Sequence, residues 1–291
     1  MVAPITFGPG VRLGAGVGVG PTGGGGGGTP TFTFSGLSQS FTNRDIVVTP
    51  DGLTVYGVAP NGISTFTLGS SWDLTSFTTG SSFSYPFNMF ISHTSTLAFN
   101  NDGTKAITVI QDGSPMIVTY NLTTPYVMSS LTGSETRSSG TLDIPGLPTH
   151  LLFANGGMVG YLVFNSVIYQ WNLSSPYDIN SFSGTAAKTL NMVSLFGLNP
   201  FGKPYSFALA PSGNLGYISS LGNSYDGTVT QFSLATPFDI STAQAPAIAS
   251  ITGFGGYGDY LGTAMNSTGT RLFVSGKNSS GQDTIFQFNG A

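Results

Sequence analysis

"SGNLGYISSLGNSYDGTVTQFSLATPFDI" (Ser212–Ile240) repeats in outline an earlier stretch, "DGLTVYGVAPNGISTFTLGSSWDL" (Asp51–Leu74). The turn that opens each of them occurs five times, at Gly52, Gly103, Gly157, Gly213 and Gly269; subtracting neighbours gives spacings of 51, 54, 56 and 56 residues. An apolar run precedes each turn and a second follows it, as Ile46–Val48 and Leu53–Val58 do around Gly52, which is a hairpin signal. A third run then alternates apolar and polar residues: "GISTFTL", "MIVTYNL", "VIYQWNL", "TVTQFSL", "TIFQFNG". Successive side chains of a strand face opposite sides, so this period of two predicts a half-buried strand. A shared corner comes next in four copies, "GSSWDL", "TTPYVM", "SSPYDI" and "ATPFDI". Proline presets such a turn, and the Asp can satisfy local backbone donors. A weaker fourth run closes the unit, as in "FTTGSSFSY".

Four short antiparallel strands repeated near every 50 residues describe the blade of a β-propeller. Helices are not expected, because Gly, Thr, Ser and Val fill nearly every segment. The chain ends test the count. The fifth copy stops at "TIFQFNGA", after its third strand, while "TPTFTFSGLSQSF" (Thr29–Phe41) precedes the first hairpin with no blade of its own. Thr31–Gly36 is therefore predicted to lie beside Thr284–Phe288 as the outer strand of the last blade, which removes open edges. The expectation is an all-β chain: one five-bladed propeller over residues 29–291, built of four-stranded antiparallel blades.

Residues 1–28 fall outside this scheme. "ITFGPG", "VRLGAG" and "VGVGPT" keep a six-residue register that aligns Ile5, Val11 and Val17 in one column and Phe7, Leu13 and Val19 in another, before six glycines at Gly23–Gly28. A simple spacer does not require such a register. This Gly-rich arm is expected to be an attachment and assembly element, with those six apolar residues as its interface and homo-oligomers or multiple copies as its setting.

Only 7% of the 291 residues are charged, against about 25% in an ordinary domain, while 40% are hydrophobic. That balance permits a large core and leaves the surface to Ser, Thr, Asn and Gly. With 8 Lys+Arg and a net charge of −4 there is no basic stripe for nucleic acid. No apolar run approaches the roughly 18 residues of a membrane span. The chain has no Cys, which removes thiolate metal sites and a Cys nucleophile.

Catalysis would need two carboxylates facing each other across a bond, roughly 5 to 9.5 Å apart. The positions that open the five inner strands are Asp45, Thr96, His150, Ser206 and Gly262, with Asp259 three residues before the last. Asp45 and Asp259 are the candidate pair; Glu135 is expected in an exposed loop. His93 and His150 are the two histidines, too few for a histidine cluster, so no metal or cofactor is expected. "FGGYGDY" offers Tyr257 and Tyr260 as a ligand-contact loop for glycans.

The phrase G-x-I-x-x-F-x-L-x-(S/T)-P-(Y/F)-D-I-x-(S/T), carried here by Val167–Ser181, Val229–Thr242 and in degraded form Ile63–Thr75, resembles a propeller repeat of virion-associated proteins of tailed phages, cyanophages among them, and of some bacterial surface proteins. Val127–Met128 departs from its Asp–Ile, and Asn155–Gly156–Gly157 from its Asp–Gly turn. The resemblance implies a non-enzymatic structural protein of the virion. Residues 1–28 would hold it to other virion proteins, and the propeller would serve as tail-fibre, adaptor or capsid-decoration module against host surface glycans. A glycan-cleaving propeller hydrolase and a bacterial surface adhesin are the alternatives.

Overall fold

The first strand of the chain is the last strand of the ring. In the computed structural model, which describes residues 32–40, 45–59, 62–83, 96–112, 114–196, 204–221, 227–245, 249–252, 262–278 and 280–290, β1 (Thr33–Ser40) forms the outer edge of the final sheet. Blade one is β2 (Asp45–Val48), β3 (Thr54–Ala59), β4 (Gly62–Leu68) and β5 (Phe77–Phe83). Blade two is β6 (Ala98–Phe99), β7 (Lys105–Asp112), β8 (Ser114–Leu122) and β9 (Leu131–Arg137). Blade three is β10 (His150–Ala154), β11 (Val159–Phe164), β12 (Val167–Asn172) and β13 (Lys188–Asn191), followed by a five-residue helix, α1 (Met192–Phe196). Blade four is β14 (Pro204–Leu209), β15 (Leu215–Leu221), β16 (Gly227–Ser233) and β17 (Ala249–Thr252). Blade five is β18 (Thr263–Met265), β19 (Arg271–Lys277), β20 (Asp283–Asn289) and then β1, in the order β18-β19-β20-β1.

Closure therefore occurs as the chain ends predicted, with a longer strand. Thr33 pairs with Asn289 and Phe34 with Phe288; the register then shifts, and Ser38 pairs with Phe286 and Ser40 with Thr284. Gly36, at φ +79°, makes the bulge, because a left-handed step there lets pairing resume. The sequence pattern stops at Gly36 since the alternation breaks at the bulge; the ladder continues beyond it.

The repeated phrase acquires a physical reading in the corners. Each turn glycine has positive φ, and in the four copies that have a corner an aromatic ring lies over it. A Cβ on Gly103 would sit 2.3 Å from the Tyr126 ring, on Gly157 2.3 Å from Tyr177, on Gly213 2.6 Å from Phe238, and on Gly52 2.0 Å from Trp72. The aromatic residues themselves take positive φ, at 55° to 62°. Their amides donate to the turn glycines' carbonyls, Trp72 to Gly52 at 2.9 Å and Phe238 to Gly213 at 2.8 Å. The Asp that follows caps a single 3-10 turn: Asp73 accepts from the Thr75 amide, Asp178 from Asn180 and Asp239 from Ser241. Leu74, Met128, Ile179 and Ile240 then plug the seam beneath.

Blade two breaks this rule, because Val127 makes no cap bond and lies half exposed. Val127→Asp is expected to stabilise the protein by about 1 kcal/mol, the worth of a capping side chain, as a raised denaturation midpoint with an unchanged m-value.

Burial follows the same fivefold plan. One apolar layer lies between each pair of neighbouring blades. Tyr56, Val58, Leu97 and Met128 join blades one and two. Tyr161, Phe207, Ile218 and Phe232 join three and four. Phe273, Ile285, Ile46 and Trp72 join five and one, across the closure.

Candidate functional site

Counting back seven residues from each turn glycine gives Asp45, Thr96, His150, Ser206 and Gly262, at or beside the head of each inner strand. The ring brings three of these together. His150 Nδ1 lies 3.1 and 3.3 Å from the two carboxylate oxygens of Asp45, 105 residues away, and 3.2 Å from Ser206 Oγ. Asp45 Oδ1 also accepts from the Ile46 amide at 2.9 Å. The three side chains belong to blades one, three and four, and all are buried. Gly262 lacks a side chain where Asp45 needs room: a Cβ there would lie 2.7 Å from Asp45 Oδ1 and 2.6 Å from the Ile46 nitrogen. Thr96 turns to its own blade, its Oγ1 accepting from the Val109 amide at 3.1 Å. Thr263 Oγ1 donates to Ser219 Oγ at 2.8 Å beside the group.

Below this polar end runs a cavity of about 250 Å³ along the axis, reached by all five inner strands. Its middle is apolar, with Val47, Ala98, Leu152, Ala208 and Ala264 each two residues beyond the polar ring, while His150 and Thr263 line one end and Asn100 and Asn101 the other. At the turn face, Tyr177 donates to Asn101 Oδ1 at 2.5 Å and Tyr126 donates to the Asn101 carbonyl.

Asp, His and Ser in contact invite comparison with a hydrolytic triad, and the geometry refuses it. A triad needs the serine on one ring nitrogen and the carboxylate on the other, so that the imidazole can take the hydroxyl proton. Here both sit on Nδ1, while Nε2 is buried without a hydrogen-bond partner. The cluster ties blade one across the axis to blades three and four. Burial raises the Asp45 carboxyl above its ordinary value of 3.8, with the charge of His150 opposing part of that rise.

The sign of the resulting pH dependence follows. The folded carboxyl keeps its proton to higher pH than the unfolded one, so this contribution to stability is present in acid and is lost as pH climbs through the folded value. Asp45→Asn is accordingly expected to flatten the fall in stability above about pH 4, measured by denaturant titration at a series of pH values.

Sequence reasoning placed Asp45 and His150 on the channel. It did not foresee that they bind each other or that Ser206 joins them. The seven-residue offset was the available signal, but it gives no side-chain direction. Asp259, His93, the contact residues Tyr257 and Tyr260, and the arm residues Ile5, Phe7, Val11, Leu13, Val17 and Val19 lie outside the described residues. Glu135, expected in an exposed loop, stands instead on β9, where it accepts from Arg137 Nε at 2.6 Å and from the Tyr120 hydroxyl at 3.0 Å. The hairpin signal ended at the third run, so the fourth strand that holds Glu135 was the weakest in sequence. Among the described residues no group of three His, Asp or Glu side chains is placed to hold a metal ion, and no helix is long and apolar enough to cross a membrane.

No protein-family model matches the chain, and no curated protein matches it. Solved structures similar to it include Hsv2 from Kluyveromyces lactis, at 12% identity and TM-score 0.39, covering 84% of this chain and 71% of that one. A putative 6-phosphogluconolactonase from Bacteroides uniformis is similar at 16% identity and TM-score 0.42, covering 84% and 66%. The β-propeller domain of Cps50 (Swd1) from Myceliophteria thermophila is similar at 11% identity and TM-score 0.41, covering 82% of each. The propeller assignment rests on the strand ladders of this chain, and these likenesses add nothing about activity.

Proposed function

We propose that the protein is a non-enzymatic structural component of a tailed-phage virion, held to the particle by residues 1–28 and displaying its propeller outward. The observation that carries the non-enzymatic part is the state of the axial groups. Asp45 and Ser206 meet on one nitrogen of His150 in a buried knot, and among the described residues no carboxylate lines the cavity beneath them. No nucleophile is presented there with a base. The virion part is supported by the resemblance of the repeat and by a surface that must rely on neutral polar residues, given 7% charge. Other virion proteins are the partners of the arm, and host surface glycans are the partner of the displayed face. Many copies on one particle would give avidity without a strong single site.

The test is deletion of Met1–Gly28. The truncated protein is expected to keep its strand content and cooperative unfolding yet fail to enter particles. Normal incorporation of the truncated protein would remove the arm from this role. Release of sugars from host surface polysaccharide by the purified propeller, abolished by Asp45→Asn, would replace the structural role by a hydrolytic one.

A further inference from the structure

The axial cavity of about 250 Å³ is large for a protein interior, where few voids exceed a water molecule. The repeat shows that the fold does not impose it. The position two residues beyond the polar ring is Val47 in blade one and Leu152 in blade three, but Ala98, Ala208 and Ala264 in the others. The ring thus accepts a large side chain on its axis, and three blades carry only a methyl group there. Val47, Ala98, Leu152 and Ala264 stand at the centre of the ring and yet are only half-buried, because they face this volume.

The cavity reaches the surface on the turn face, where two exposed residues, Pro50 and Asn101, line it. Two aromatic pairs stand at this mouth: Phe99 with Tyr126, ring centroids 5.5 Å apart, and Phe153 with Tyr177, 5.1 Å apart. Both tyrosines hold Asn101, whose Oδ1 accepts from the Tyr177 hydroxyl and whose carbonyl accepts from that of Tyr126. Its Nδ2 is left with no partner among the described residues, a donor fixed in place at the opening. The turn itself does not need this side chain, since blades one and four carry Pro50 and Pro211 at the same position. Neighbouring Asn100 is spent within its own turn, Nδ2 donating to Thr104 Oγ1 at 3.2 Å and Oδ1 accepting from the Lys105 amide at 2.8 Å. Among the described residues, no Asp, Glu, Lys or Arg lines the cavity.

We infer that the axial cavity is a binding pocket for a neutral aliphatic chain that carries a hydrogen-bond acceptor, such as a carbonyl oxygen, at its head. The chain lies among Val47, Leu152 and the three alanines, where apolar walls favour hydrocarbon over water. The head stops at the mouth and accepts from Asn101 Nδ2. A sugar ring buried in the apolar middle would set its hydroxyls against side chains that offer them no partner. A charged head would find no counter-ion in the lining. The pocket stands on this geometry alone and does not depend on the virion role.

The experiment is an NMR chemical-shift titration of the full-length protein with butanamide, pentanamide and hexanamide. One saturable site is expected, with affinity rising about fourfold for each added methylene, the worth of burying one. Asn101→Ala should weaken hexanamide about fivefold by removing the donor at the mouth. Ala264→Leu places on the axis the side chain that blade three already carries, and should weaken hexanamide at least about tenfold by taking the chain's space. No saturable binding of hexanamide by the unaltered protein, or an affinity that stays flat along the series, would overturn the pocket. So would an unchanged affinity in Ala264→Leu, folded by its urea transition, since the chain would then sit elsewhere. An unchanged affinity in Asn101→Ala would overturn the placing of the head. The series and Asn101→Ala decide the matter even if the bulkier variant does not fold.

Discussion

Removing residues 1–40 is expected to abolish the stable monomeric propeller, whereas removing residues 1–28 is expected to leave it folded. β1 contributes five paired residues to the edge of β20, and Phe32 is buried against Tyr217. The ladder bonds are each worth about 1 kcal/mol net, and burial of Phe32 adds roughly 2 kcal/mol. Together they approach the lower end of the 5–15 kcal/mol that holds an ordinary domain together. The exposed edge would also uncover Ile285, Phe286 and Phe288, all buried in the closed ring. An unpaired apolar edge recruits strands from other molecules. The expected result is therefore a broad thermal transition and aggregation, seen by calorimetry and light scattering. A monomer with an unchanged midpoint after loss of residues 1–40 would mean that β1 does not close the ring.

Gly262→Ala should be the most damaging small substitution. A Cβ there would lie 2.6 Å from the Ile46 nitrogen and 2.8 Å from Asp45 Cα, both backbone atoms that cannot rotate aside. The Gly262 amide also donates to Ser275 Oγ at 2.6 Å, and its carbonyl accepts from the Ser275 amide at 2.8 Å, so the glycine cannot retreat. Blades five and one must separate at the axis, and Asp45 must leave His150. Overpacking of this kind costs about 3 kcal/mol. Gly281→Ala is the control: its φ is +77° with nothing within 4 Å of a new Cβ, leaving only the left-handed strain of roughly 1–2 kcal/mol. Equal midpoint shifts for the two variants in urea would show that the axis tolerates the methyl group.

Both effects arise where chain-distant elements meet, and that is where sequence reasoning reached its limit. The hairpin turns, the alternating third strands and the shared corner are local patterns, and each became the element it predicted. Even ring closure was legible, because one copy lacked a strand and the chain start held a spare one. The Asp45–His150–Ser206 knot was not. Its members carry no local signature, and the offset that aligns them says which residues approach the axis without saying which way they turn.

The sequence by itself therefore determined the blade, the number of blades and the way the ring shuts, since these depend on periodicity and on counting strands. Only the tertiary structure decided that the axial polar groups bind one another and that Gly262 is empty to make room for Asp45. The physical reason is range. Strand alternation and turn chemistry act over a few residues, whereas these contacts join positions 105 residues apart, as Asp45 and His150 are, and further still where Gly262 meets Asp45. Such contacts come into being when five separately specified sheets converge on one axis.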